Sequence, residues 1–243
     1  MRIALISDIH GNDIALETVL KDMKSAGGID QIICLGDVAN LGPDPCSVVA
    51  RLRDVNCPCV LGNHDAFLFD RDLIHQYTEV DYIIEAVDWC RDQLTQDDID
   101  WMGDFHRVLE VLMDKAGSLI AFHGSPLSHM DNILSRTPDA EVDRMIQGLN
   151  GEILACGHTH IQMLRQHRGR LIINPGSVGL PFREFLIRNT PQLMDHAEYA
   201  IITSENGTLG VESRRVFLDK RAMFEAAKAS SNPMRAWLME EYS

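Results

Sequence analysis

Five short apolar runs, rich in β-branched residues, each end in an aspartate, an asparagine or a histidine. Ile3–Ser7 leads into Asp8-Ile9-His10, and Gln31–Leu35 into Gly36-Asp37. Cys59–Leu61 leads into Gly62-Asn63-His64-Asp65, Leu119–Phe122 into His123-Gly124, and Ile153–Cys156 into Gly157-His158-Thr159-His160. Runs of this length and makeup read as buried strands, and helical stripes between several of them predict alternating β and α units. The carboxyl edge of such a sheet is where α/β proteins bind ligands. Asp8, His10, Asp37, Asn63, His123, His158 and His160 would then converge on one crevice.

The intervening segments agree. Leu16, Val19, Leu20 and Met23 form a helical stripe that ends at Gly27-Gly28. Asp44 and Pro45 open a second helix with Val48, Val49 and Leu52 on one face. Val80, Ile83, Ile84, Val87 and Leu94 mark a third, Thr95 caps a fourth, and Thr137-Pro138 starts one reaching Gln147. Further strands are expected at Arg107–Val111 and Ser118–Phe122, then at Glu152–Ala155, Ile161–Gln166, Arg170–Ile173, Tyr199–Ser204 and Leu209–Val216. Asn206-Gly207 makes the turn between the last two. A helix near Asp219–Lys228 and a short one at the C-terminus follow. With 243 residues, no repeat and no linker, residues 1–243 are read as a single domain.

Composition excludes several functions. No apolar stretch approaches the ~20 residues of a membrane span, and the apolar N-terminal run is too short for a signal peptide. The expected location is the cytoplasm, without membrane association. A formal charge of −14 argues against extended nucleic-acid binding, which needs a basic surface. The six cysteines are read as reduced and structural, since Cys57 and Cys59 flank Pro58 without the spacing of a redox or zinc motif.

Carboxylate, imidazole and amide oxygen without thiolate suit Mn, Fe, Zn, Ni or Mg. Asp8-x-His10 and His158-x-His160 are i, i+2 pairs, which extended backbone would point to one side, so each pair can serve one cluster. The donors are too many for one transition metal and suit two, a known device for in-line phosphoryl displacement.

The ordered set Asp-x-His, Gly-Asp, Gly-Asn-His-Asp, His and Gly-His-x-His resembles the calcineurin-like metallophosphoesterase superfamily, most of all its small bacterial and archaeal phosphodiesterases. The resemblance runs from Asp8 to about Pro181. It implies an α/β (α+β) fold of four αββα layers, in which two mixed sheets pack together with helices on both outer faces. It also implies two divalent metals, with manganese expected in vitro. Asp8, His10 and His160 would bind one and Asn63, His123 and His158 the other, with Asp37 between them. Hydrolysis of a small phosphate ester, for example a nucleotide, would proceed through a hydroxide between the metals. His64 would act as general acid, oriented by Asp65, and Asn63 and His64 would touch substrate. Apart from the resemblance, Arg183 is expected to contact substrate because it follows the glycine-rich Pro175–Pro181 loop. Homodimers are common among similar proteins.

Leu41 stands where phosphoprotein phosphatases and symmetrical tetraphosphatases carry a phosphate-binding arginine, and Asp65 where they use glutamate. Both departures favour a phosphodiesterase over those classes. The remaining rival is a non-catalytic scaffold of similar fold acting through protein partners. His64 separates the two, because a scaffold has no need of a general acid. The other histidines, His75, His106, His129, His167 and His196, are read as surface or core, with His129 nearest to the crevice. The segment Phe182–His196 matches no motif.

Overall fold

Strand β1 (Arg2–Ile6) sends its side chains alternately into two different cores, and that alternation generates the layers. Ile3 and Leu5 face a second sheet; Ala4 and Ile6 face helices. A computed structural model describes residues 1–186 and 190–243. β1 pairs in parallel with β2 (Gln31–Cys34) and antiparallel with β8 (His196–Glu205), which pairs in turn with β9 (Thr208–Phe217). The resulting order is β2-β1-β8-β9.

The second sheet has the order β3-β4-β5-β7-β6. Its strands are β3 (Leu109–Leu112), β4 (Ser118–Ala121), β5 (Ile153–Ala155), β6 (Met163–His167) and β7 (Arg170–Asn174). Leu119, Ala121, Ile153, Ala155 and Ile173 meet Ile3, Leu5, Ile33 and Leu35 in the core between the sheets. Both sheets are mixed.

Helices cover the outside unequally. The face of the first sheet carries α1 (Asp13–Ala26) and α2 (Pro45–Asp54), with α4 (Asp81–Gln93) and α5 (Gln96–Gly103) packed beyond. α7 (Lys220–Ala229) and α8 (Arg235–Glu241) complete that layer. Asn12 caps α1 and Gly27, at φ 66°, ends it; Asp44 caps α2 by accepting from the Ser47 N–H. Among the described residues the opposite outer face carries only α6 (Asp139–Met145), whose Val142 and Met145 pack on Ile120, Leu154 and Ile172. The expected αββα layering is present, with one layer thin.

Two local expectations differ. Cys59–Leu61 is no full strand: bridges Cys34↔Cys59 and Val60↔His106 hold it beside β2. The chain then enters a helix not expected from the sequence, α3 (Asn63–Phe69), too short to show a helical period. Residues 187–189 of the Phe182–His196 segment lie outside the described residues; beside them Phe182 bridges to Leu193. No described helix is long and apolar enough to cross a membrane. All six cysteines are free and five are buried, but Cys46 is exposed and belongs to no core.

Candidate metal centre

β1 stops at Ile6, and the residues that follow leave the extended conformation. Asp8, His10, Asp37, His158 and His160 have left-handed backbone, with φ of 53°, 49°, 57°, 67° and 57°. Non-glycine residues seldom adopt it, and it persists only where surrounding structure over-determines the chain. Here main-chain hydrogen bonds lace the loops together. Asp8 donates to Gly36 O, His10 to Asp37 O, Gly11 to Val38 O, Gly179 to Asp8 O and Gly157 to His123 O. Strand pleating therefore does not aim the i, i+2 pairs, contrary to the sequence expectation. Turns aim them, and His158 and His160 go to different clusters.

The first cluster gathers Asp8, His10 and His160, and the second Asp37, His123 and His158. His10 Nε2 lies 3.1 Å from His160 Nε2, and Asp8 Oδ1 lies 3.4 Å from the latter. In the second cluster His123 Nε2 lies 3.3 Å from Asp37 Oδ2 and 3.0 Å from Asn63 Oδ1. The carboxylates reach across: Asp37 Oδ2 is 3.7 Å from His10 Nε2, and Asp8 Oδ1 is 3.9 Å from His123 Nε2. Asp37 keeps Oδ2 free because its Oδ1 accepts the backbone N–H of His64 at the start of α3, at 2.8 Å.

The tautomers follow from these contacts. Backbone carbonyls only accept, so His10 Nδ1 donates to Asn40 O (3.0 Å), His160 Nδ1 to Leu180 O (2.6 Å) and His123 Nδ1 to Leu35 O (2.7 Å). In each neutral ring the Nε2 lone pair then faces the cluster, as metal-ligating histidines are arranged. Two lone pairs opposed at 3.1 Å repel unless a cation or proton lies among them. Asp8 Oδ1 is also buried with no hydrogen-bond partner. A buried anionic oxygen beside opposed imidazole lone pairs fits divalent cations.

Electrostatics carry the same signature. Burial would lower the His123 ring, but Asp37 and Asp8 outweigh it and push its pKa up to about 9. Burial lowers His10 to about 4 and His158 to about 3. Burial would also raise Asp37, yet His123, His64 and His10 hold it well below the usual carboxylate range. Asp8 is held low in the same way by His160 and His123 against its burial.

His64 is buried beside the clusters, its ring edge-on to His10 at 5.1 Å. Asp65 does not touch the His64 ring, contrary to expectation. Its carboxylate accepts the backbone N–H groups of Asp37 (2.8 Å), Val38 (2.8 Å) and Gly62 (2.9 Å), bracing the loop that carries Asp37. The ring is held instead by Asn40, whose Nδ2 lies 3.1 Å from His64 Nδ1. The sequence signal for Asn40 was its place three residues after Asp37 in the same motif.

Arg183 is exposed and pairs with Gln192 through Nη1 at 3.2 Å, rather than entering either cluster. The residue before it does reach the site: Phe182 stacks on His160, with centroids 4.1 Å apart and planes at 19°. Tyr77 packs edge-on against His64 at 5.2 Å. Neither aromatic sits in a motif, so nothing in the sequence singled them out. His129 is half-buried and feels the charge of His123, whereas His167 and His196 are buried against Asp143 and Glu198.

Residues 1–206 match the Calcineurin-like phosphoesterase superfamily domain. An uncharacterized protein of Methanocaldococcus jannaschii is 29% identical over 98% of this chain and 96% of its own. Phosphodiesterase YfcE of Escherichia coli is 28% identical over 74% of this chain and 81% of its own. The crystal structure of a metallophosphoesterase from Sphaerobacter thermophilus superposes with a TM-score of 0.76 at 24% identity, covering 100% of this chain and 98% of that one.

Proposed function

Because the chain belongs to the calcineurin-like phosphoesterase superfamily, we propose that it is a dinuclear-metal phosphodiesterase acting on a small phosphate diester. The observation that carries this reading is the facing pair of Nε2 atoms on His10 and His160, each locked inward by a carbonyl on Nδ1. Asp8, His10 and His160 would hold one cation, and Asn63, His123 and His158 the other, with Asp37 within reach of both clusters. Bound cations supply an acidified water and positive charge against the phosphate oxygens. Manganese is the first metal to test, since these donors accept several.

In the hydrolysis, water oxygen bonds to phosphorus, the ester P–O bond breaks, and the proton that the water gives up ends on the leaving alcohol. His64 is assigned to the leaving oxygen. The Leu41 N–H, which only donates, binds Asn40 Oδ1 at 2.9 Å and so turns Nδ2 toward the ring. His64 Nδ1 therefore accepts, and Nε2 carries the hydrogen. The amide hydrogen on Nδ1 leaves no place for a second ring proton, so the role assigned is hydrogen-bond donor rather than general acid. A donor placed at developing negative charge is typically worth ~10²–10³-fold in rate. Asp65 is assigned a bracing role, and Arg183 is left out of the site. The leucine at position 41 supports diesters over other esters, and one relative is named as a phosphodiesterase.

The test is hydrolysis of bis(p-nitrophenyl) phosphate with Mn²⁺ or EDTA by wild type, His64→Ala and Asp37→Asn. EDTA should abolish turnover, His64→Ala should lower kcat/KM by roughly 10²-fold, and Asp37→Asn should also lose bound metal. Two bound metals with no turnover of any diester or monoester would sink the proposal.

A further inference from the structure

The rings of the site form a continuous row. Phe182 lies 4.1 Å from His160, His160 4.9 Å from His10, His10 5.1 Å from His64, and His64 5.2 Å from Tyr77. The members between the ends are buried, with His64 only 2% exposed, whereas Tyr77 is 46% exposed. Tyr77 caps the 3₁₀ turn Arg71–Gln76 that follows α3 and also leans on Phe67 at 5.9 Å. Among the described residues nothing bonds its hydroxyl. A lone exposed aromatic is ordinary. This one stands where the row of site residues reaches solvent, in contact with the group assigned to the leaving oxygen.

We propose that Tyr77 is a shelf for the leaving group, and that the preferred substrate is a diester whose leaving alcohol carries a planar ring, as a nucleoside does. The inference rests on the phosphodiesterase reading above and names the substrate class of that same site. With phosphorus among the histidines and the leaving oxygen at His64 Nε2, the next atoms of the leaving group run out past Tyr77. The His64 ring meets Tyr77 at 81°, and with 46% of Tyr77 exposed part of its surface is open to a second partner. Stacking of a base on such a ring is worth ~1–3 kcal/mol, or about 5- to 150-fold.

Two substrates and one pair of ligands test this with the manganese-loaded protein. Wild type, Tyr77→Ala and Tyr77→Phe are compared on bis(p-nitrophenyl) phosphate, whose leaving group is planar, and bis(2,2,2-trifluoroethyl) phosphate, whose leaving group is not. Each substrate is referred to its own wild-type rate, so intrinsic reactivity cancels. Tyr77→Ala should lower the aryl-over-alkyl selectivity in kcat/KM by about tenfold, mainly through KM, and Tyr77→Phe should keep it. By calorimetry, AMP should bind about tenfold tighter than ribose 5-phosphate, a preference that Tyr77→Ala erases. Equal losses on both diesters would overturn the shelf and leave Tyr77 acting only through His64. Turnover with unaltered selectivity and no AMP preference would also overturn it, with the phosphodiesterase reading intact. A Tyr77-dependent AMP preference without turnover of either diester would overturn the phosphodiesterase reading and the leaving-group role with it, leaving Tyr77 as a base-stacking surface only.

Discussion

Asn40 is a residue whose orientation, more than its identity, matters. Its amide is fixed by the Leu41 N–H, so it can only donate to His64 Nδ1. An aspartate there would accept instead, would require a proton on Nδ1, and would stabilise the imidazolium that a full proton donor needs. Asn40→Asp should therefore raise the rate on bis(2,2,2-trifluoroethyl) phosphate relative to bis(p-nitrophenyl) phosphate several-fold, since poorer leaving groups gain more from proton transfer. An unchanged ratio between the two esters would refute the assignment of His64 as a donor held neutral by the amide.

The element that positions Asn63 and Asp37 in the second cluster is the first turn of α3. Gly62 is its N-cap, and a Cβ at that position would run into the Asp37 carboxylate and backbone N. Gly62→Ala must displace either Asp37 or α3, and both carry ligands. Metal binding by Gly62→Ala should fall steeply, read as stoichiometry after dialysis against limiting Mn²⁺. Gly27→Ala is the control: φ 66° and ψ 160° lie in a region essentially reserved for glycine, but nothing lies within 4 Å of the added Cβ, so about 1–3 kcal/mol of stability is lost and metal is retained. Full metal occupancy in Gly62→Ala would mean that the close approach of the two loops is not needed.

At the scale of the molecule, one crevice concentrates five histidines, His10, His64, His123, His158 and His160, with the carboxylates of Asp8 and Asp37, so the metal-free protein should be pH-sensitive from both sides. His123 has a folded pKa of about 9 against an ordinary 6.5, so its contribution is present below 6.5 and lost as pH rises through 9. Burial lowers His10 to about 4, and His64 and His158 to about 3, so their contribution is present above 6.5 and lost as pH falls toward those values. Urea midpoints of the EDTA-treated protein should peak near pH 6.5. Mn²⁺ should remove the alkaline decline, because bound cations replace the His123 proton. Equal midpoints from pH 5 to 9 without metal would contradict this electrostatic picture.

Much of this was legible in the residues, because it depends on neighbours a few positions apart. The apolar strand run from Ile3, the stripe from Leu16 to Met23, the Asp44 cap and the Asn206-Gly207 turn are local features whose patterns and dihedrals the chain carries itself. The metal-competent set was readable for the same reason, each member lying just beyond an apolar run. What the partners of those residues do depends on contacts between loops far apart in sequence. Asn40 meets His64 across 24 positions, and His10 meets His160 across 150. The left-handed backbone that aims the ligands, the bracing task of Asp65 and the place of Tyr77 all follow from such contacts. Only the packing of the two sheets brings those loops together, so only the tertiary structure decides them.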